Sequence, residues 1–433
     1  MDAGRPVHTS QSRIINSIVY TTTEPKNIQA LLATQFQDFS LGPARHGTFA
    51  PLLGNGIFSS DGKQWEFARA LLRPQFGRDQ VGDLELEESH VQNLMNALPV
   101  EPNTGGWTEQ KDLVTLFYRL TFDSALEFLF GRGGETQLAA LPGYVARSDG
   151  PVVTKSFSED WDTSLDHLAT AAKLNDLHWI HYIRNKDFYR RVKAIHEFCD
   201  YYVFLEALAE ETQDPIMIRD QLLSILLAGR DTTAGLLSFL FNLLGQHPHI
   251  YQKLRTAIID DFGTYKQDNQ GVISFASLKA CSYLQYCMME TLRLYPSVPF
   301  NGRRAVRDTT LPTGGGPDGR SPIFVPKGRE VGYCVYLMQR RKDLWGEDAD
   351  EFKPERWKNR KPGWEYLPFN GGPRICLGQQ FALTEAGYVT VRLLQRFDMI
   401  DGSAVAGREI LWYLNLTGRP FAGVPLRLHE ADD

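Results

Sequence analysis

Ten residues near the end of the chain, Phe369-Asn-Gly-Gly372-Pro-Arg374-Ile-Cys376-Leu-Gly378, constrain it more than any other stretch. The pattern F-x-x-G-x-R-x-C-x-G fixes five residues over ten positions, and a helical periodicity follows it at once. Two glycines and a proline let the backbone turn tightly beneath a flat group, and the glycine amides can donate hydrogen bonds to a negatively charged sulfur. Arg374 is placed to pair with an acidic substituent of such a group, and Phe369 can pack beside the sulfur and keep water from it. A lone cysteine would read as a small buried hydrophobe. Set in this pattern, Cys376 reads as a thiolate presented to a metal.

The apolar run from Leu222 to Leu244 is the other strong constraint. Arg230, Asp231, Thr232 and Thr233 interrupt it at its middle, and each charge at mid-bilayer would cost about 3 kcal/mol. The run is therefore predicted as a long helix through a protein core. In Ala228-Gly229-Arg230-Asp231-Thr232-Thr233, Gly229 or Ala228 supplies a small residue where a flat cofactor could be crossed. Thr232 can hydrogen-bond a bound oxygen molecule, and Asp231 can relay protons to it from solvent, a general-acid role. Two blander readings stand beside these: Thr232 bonding its own i−4 carbonyl, and Asp231 pairing with a nearby arginine.

The cysteine loop resembles the haem-binding signature of the cytochrome P450 superfamily, and the likeness runs over nearly the whole chain from about residue 18. It is closest to fungal enzymes that hydroxylate alkanes and fatty acids at or near the chain end. Tyr20-Thr-Thr-Thr-Glu-Pro-Lys-Asn-Ile-Gln, Asp220-Gln-Leu-Leu, Ala228-Gly-Arg-Asp-Thr-Thr-Ala-Gly-Leu-Leu, Arg307-Asp-Thr-Thr-Leu-Pro-Thr-Gly-Gly-Gly and Phe369 through Leu394 carry it. The resemblance implies a mainly α fold with small β-sheets, forming a single P450 domain over residues 1–433. It implies haem b with Cys376 as the axial thiolate, Phe369 and Gly378 lining the loop, and NADPH oxidised indirectly through NADPH-cytochrome P450 reductase. The implied reaction inserts one oxygen atom from O2 into a C–H bond of a small apolar, long-chain substrate.

Further residues take roles from the same resemblance. Trp65 and Arg69, at i and i+4 on an early helix, would serve one haem propionate; Arg303 would serve the other, with neighbouring Arg304 an open alternative. Together with Arg374, three cations would then neutralise two propionates. Glu290 and Arg293 share one helix face with apolar flanks, so the pair is expected to be buried and to need a third partner; Arg356 of Pro354-Glu-Arg356-Trp is the expected one, completing a structural triad beside the cysteine loop. Leu227, Ala228, Val298, Phe300 and Leu416 are the candidate pocket residues. At the position of Ala228, related animal fatty-acid hydroxylases carry a glutamate that esterifies the haem, which alanine cannot do.

The net charge of −6 gives no sign of a nucleic-acid binder. The five cysteines, odd in number and without framework spacing, suggest reduced thiols. Relatives usually begin with a membrane anchor and a proline-rich hinge and lie on the cytosolic face of the endoplasmic reticulum; membrane association is expected from the family, yet neither segment is recognisable here. The stretch after Tyr202 runs directly into Phe204-Leu205, where a further loop and helix are expected. A basic group, Arg340, Arg341, Lys342, Lys353, Lys358, Arg360 and Lys361, suggests a docking face for an acidic electron donor, a solvated face being the alternative.

Local patterns predict a strand at Ile18–Thr22, helix N-cap chemistry in Ser59–Lys63, loop over 131–165, strands across 304–336 with a turn at Thr313–Gly319, and a last helix to about Phe397. The tail to Leu428 suits a hairpin. Two competing functions remain at this point. A haem-thiolate isomerase or dehydratase would consume no NADPH, and the Asp231-Thr232 pair argues against it. A catalytically impaired truncated haem protein would lack a thiolate-type spectrum.

Overall fold

A 32-residue helix, Pro215–Gln246, organises the computed structural model. Asp214 caps it by accepting from the amides of Ile216 and Met217, and Pro215 supplies a first position that needs no amide partner. Apolar residues surround it on nearly every side, which fits only a helix packed all round. The helices Leu113–Phe130, Ser282–Leu294 and Gln379–Arg396 pack against it and close the main core. It is the one described helix long and apolar enough to cross a membrane, and 78% of its apolar window is buried inside the protein. The structure describes residues 7–14, 17–77, 82, 84–131, 133–145, 155–202, 214–266 and 273–432. The expected extra segment after Tyr202 falls at 203–213, outside the described residues.

The mainly helical architecture with small sheets expected from the sequence is the one observed. A five-stranded sheet runs in the order Thr9–Ile14, Ser17–Thr22, Glu330–Cys334, Phe300–Ala305, Phe39–Ser40, with Ser17–Thr22 and Glu330–Cys334 parallel. It carries Arg303 on a middle strand. A C-terminal hairpin, Trp412–Leu414 with Gly418–Pro420, lies against the central helix so closely that a Cβ on Gly235 would come within 2.6 Å of the Gly418 carbonyl.

Three local expectations need correction. The stretch 131–165 is not all loop, because a helix runs from Lys155 to Lys173. Phe157, Trp161, Leu165 and Leu168 recur at helical spacing and are buried in a second apolar cluster, which outweighs the polar residues between them. Thr313–Gly315 belongs to the strand Thr309–Gly315, so the turn begins only at Gly316. Asp61 stands at the N-cap of the helix Gly62–Leu72 but does not cap it. Its carboxylate accepts instead from the amides of Leu41 and Gly42 and from Arg374.

Candidate active site

The cysteine loop turns through two residues with left-handed backbone, Asn370 at φ 65° and Gly372 at φ 68°. At Gly372 the requirement is double, since a Cβ there would lie 1.9 Å from the Leu32 carbonyl oxygen. The Cys376 amide donates to the Phe369 carbonyl at 3.0 Å, closing the loop on itself. Cys376 is solvent-accessible, yet protein surrounds it closely enough that burial raises its thiol pKa, with the Gly378 amide and the Arg69 charge pulling the other way. An accessible atom so surrounded lines a recess. The helix Gln379–Arg396 starts immediately beyond it.

Beside this recess the structure gathers four arginines. Arg69 donates to the Ile375 carbonyl at 2.9 Å, and Arg374 donates to Asp61 at 2.7 Å while lying 4.2 Å from the Trp65 ring centre. Arg303 is 3% exposed and its Nε has no partner among the described residues. Arg304, the open alternative, is already engaged with Asp176 at 2.7 Å. The fourth member, Arg45, donates to Asn301 at 2.9 Å, an oxygen it shares with Arg303. Burial, and then the charge of Arg303, lowers the pKa of Arg45 to about 10. Arg374 is lowered to about 10 as well, by burial first and by Arg303, Arg45 and Arg69 against the opposing Asp61.

Buried cations gathered this closely fit a site for a polyanionic group, and the Arg303 Nε, without a partner among the described residues, fits an acceptor from it. The two propionates of a haem lying over Cys376 match that donor set. Replacing Arg303 with glutamine should weaken haem retention by about tenfold or more, the scale of one charge-assisted hydrogen bond. The haem-free chain should melt no lower than the parent, because a repelled cation has gone. Haem titration and a thermal melt of the haem-free protein read the two effects; unaltered haem affinity would contradict it.

On the central helix, Ala228 and Thr232 lie four residues apart on one face and are both half-buried. A Cβ on Gly229 would make only an ordinary contact with Ala125 of the helix Leu113–Phe130, at 3.5 Å, so packing there does not require glycine, and Ala228 is the small residue on the face of Thr232. One turn further along that helix, Phe128 packs on Phe381 at 5.0 Å and on Phe76 at 6.0 Å, and Phe76 touches Gly378. The three residues from Ala125 to Phe128 rise only about 4.5 Å. One helix thus reaches both the small-residue stretch and the far end of the cysteine loop.

Both local partners foreseen for the polar break are present. Thr232 Oγ1 donates to the Ala228 carbonyl at 2.6 Å, and Arg230 Nη1 donates to Asp231 at 3.0 Å. Ser297 Oγ donates to the Thr232 carbonyl, and Thr121 Oγ1 to the Arg230 carbonyl, so hydroxyls from neighbouring segments hold the helix backbone here. Asp231 is buried; burial first, with Asp162 adding to it and Arg230 opposing, raises its pKa to about 6. A carboxyl so placed holds a proton close to neutral pH while its neighbour Thr232 retains lone pairs for a donor.

Glu290 accepts from Arg293 twice, at 2.8 Å each, and from Arg356 at 3.2 Å. Two partners the sequence did not single out complete it: Trp357 Nε1 at 3.0 Å and the Lys353 amide at 3.1 Å. Arg293 then donates to the carbonyls of Gln339, Ala349 and Glu351. Gln339 is the missed relay, since its amide donates to the carbonyls of Leu292 and Arg293 and its oxygen accepts from the Leu367 amide, two residues before Phe369. Through it the buried ion pair is wired to the cysteine loop.

Among the candidate pocket residues, Leu227 and Leu416 pack in the apolar cluster of the helix Lys155–Lys173, and Val298 is half-buried. Phe300 is 49% exposed, with its ring over Gly332. Most of the basic group is paired with carboxylates on the surface of the fold. Arg340 pairs with Asp350, Arg341 with Glu24 and Asp343, Lys342 with Glu347, Lys353 with Asp348 and Arg360 with Glu365, five of the seven. Lys358 and Lys361 stand exposed.

An accessible cysteine in a tight loop, a cluster of four arginines and a buried helix whose apolar run is interrupted by Asp-Thr define a haem-thiolate class of protein. The family model "Cytochrome P450" matches residues 13–410, and the chain belongs to that family, whose members bind haem iron through a cysteine thiolate. It is 51% identical over 430 aligned residues to Cytochrome P450 monooxygenase g430 of a Fusarium species, covering 93% of this chain and 74% of the relative. It is 45% identical over 408 residues to Cytochrome P450 monooxygenase alt2 of Alternaria solani, covering 88% and 76%. Against Cytochrome P450 52A10 of Candida maltosa the identity is 47% over 427 residues, covering 94% and 81%. The chain is a monooxygenase of this family.

Proposed function

We propose that this P450, acting as one domain, hydroxylates an extended apolar substrate of the long-chain alkane or fatty-acid kind. We also propose that it draws electrons from NADPH through a cytochrome P450 reductase and works at the cytosolic face of the endoplasmic reticulum. The observation that carries the substrate class is the apolar cluster shared by Leu227, Leu416 and the helix Lys155–Lys173. Built of apolar side chains and continued by Ala228, next to Leu227 in the chain, that wall selects by buried area rather than by a headgroup.

Haem held by Cys376 supplies the activation of dioxygen and the oxidation of a C–H bond. The protein's part is positioning, dryness and protons. Arg45, Arg69, Arg303 and Arg374 would hold the propionates, with Trp65 packed against Arg374; Phe369 and Gly378 would flank the sulfur. Asp231 would give up its proton toward the Thr232 hydroxyl, and Thr232, turning its own O–H from the Ala228 carbonyl to which it donates, would pass a proton on. Glu290, Arg293 and Arg356 would fix the loop from below. Lys358 and Lys361, on the segment between the triad and the cysteine loop, are the cations left for the reductase.

A homologous series of fatty acids tests the substrate class. Each added methylene should tighten binding about fourfold, from about 0.8 kcal/mol per buried CH2, until the pocket is filled. The spectral shift of the haem on titration measures it. Affinity that ignores chain length and follows the headgroup would contradict the proposal.

A further inference from the structure

Two carboxylates one turn apart tie the helix Lys155–Lys173 to the site. Asp162 accepts from Arg230 Nη1 at 2.6 Å. Asp166, four residues on and so on the same face, accepts from Tyr413 Oη at 2.7 Å and Asn415 Nδ2 at 3.5 Å. Arg230 belongs to the central helix, and Tyr413 and Asn415 to the hairpin that carries Leu416. The apolar side of the same helix packs with Leu227 and Leu416, so it belongs to the apolar wall of the proposed pocket.

The nitrogen of Arg230 that holds Asp162 also donates to Asp231 at 3.0 Å. Arg230 is 4% exposed and lies 5.0 Å from the Tyr118 ring centre and 5.2 Å from that of Phe122, whereas the Asp162 side chain is 57% exposed. One buried guanidinium therefore faces two carboxylates. How far it favours the ionised form of the inner one depends on whether the outer one is in place.

We propose that Asp162 is a positioning residue for the proton of Asp231, acting through Arg230, so that the contact of the helix Lys155–Lys173 with the central helix tunes proton delivery. With the Asp162 carboxylate in place, Arg230 is shared and Asp231 holds its proton more readily. Without it, Arg230 faces Asp231 alone and favours its ionised form. The other groups facing Asp231 are Arg419 of the hairpin, which also favours the ionised form, and the Tyr118 hydroxyl of the helix Leu113–Phe130. The charge of Asp162 acts in the same direction as burial in raising Asp231, against Arg230 and Arg419. The inference rests on the reading of Asp231 as a proton donor.

The test is infrared titration of the haem-loaded protein, following the carbonyl band of the protonated buried carboxyl that disappears in Asp231→Asn. Asp162→Asn removes the charge at an exposed position and should lower the titration midpoint by about one pH unit, the scale of a close charge effect. Asp162→Glu should restore it. Asp166→Asn, which loosens the same helix without touching Arg230, should move it less. An unchanged or raised midpoint in Asp162→Asn, an equal shift in Asp166→Asn, or no band assignable to Asp231 would overturn the proposal. If the midpoint moves as expected while Asp231→Asn turns substrate over normally, the coupling stands and the donor role of Asp231 falls.

Discussion

Replacing Glu290 with glutamine should leave most of the protein without haem. Glu290 is fully buried and accepts five hydrogen bonds, from Arg293 twice, Arg356, Trp357 and the Lys353 amide. Glutamine keeps one acceptor oxygen and turns two N–H donors toward groups that are themselves donors. Arg293, also fully buried, then loses its carboxylate partner and keeps only backbone carbonyls. Breaking a buried pair by removing one partner costs about 3–5 kcal/mol, against a total stability of about 5–15 kcal/mol for a folded protein. The loss falls next to Gln339 and Leu367, so it reaches the cysteine loop first. Haem per chain and the denaturant midpoint of purified protein read the effect. A variant with parental haem content and midpoint would show that the triad does not hold the loop.

Asp231→Asn should cut product formation by about a hundredfold or more, the range of a lost general acid, without altering haem content. Asp231 has its pKa raised by burial to about 6. A carboxyl raised in this way holds its proton below that pH and releases it above. In the parent, product formed per NADPH consumed should therefore fall as pH rises through about 6, with hydrogen peroxide making up the difference, while the asparagine variant should show a low and flat profile. Coupled product and peroxide assays across pH decide it. An asparagine variant with the parental yield and pH profile would remove Asp231 from the proton path.

The parts of this site legible in the sequence are those in which one short segment carries the whole geometry. The cysteine loop turns through left-handed backbone at Gly372, and that need is written in the loop itself. Glu290 and Arg293 are likewise neighbours on one helical turn. What escaped the sequence depends on distant segments meeting. Arg45 is an unremarked residue of an early helix until the fold brings it to Asn301 and Arg303, and Gln339 matters only because it stands between Arg293 and Leu367. The helix from Lys155 was hidden by aspartates that look like loop residues, although Asp160 and Asp162 serve Arg191 and Arg230. In the basic group, likewise, counting lysines and arginines cannot reveal the carboxylates folded against them, such as Asp350 beside Arg340.

The central claim is that Cys376 supplies a thiolate to haem iron, and the reduced carbon monoxide difference spectrum tests it most directly. The purified protein should give a Soret band of the thiolate type, and Cys376→Ser should abolish it. A parental protein that binds haem without that band, or a Cys376→Ser variant that retains it, would contradict the claim.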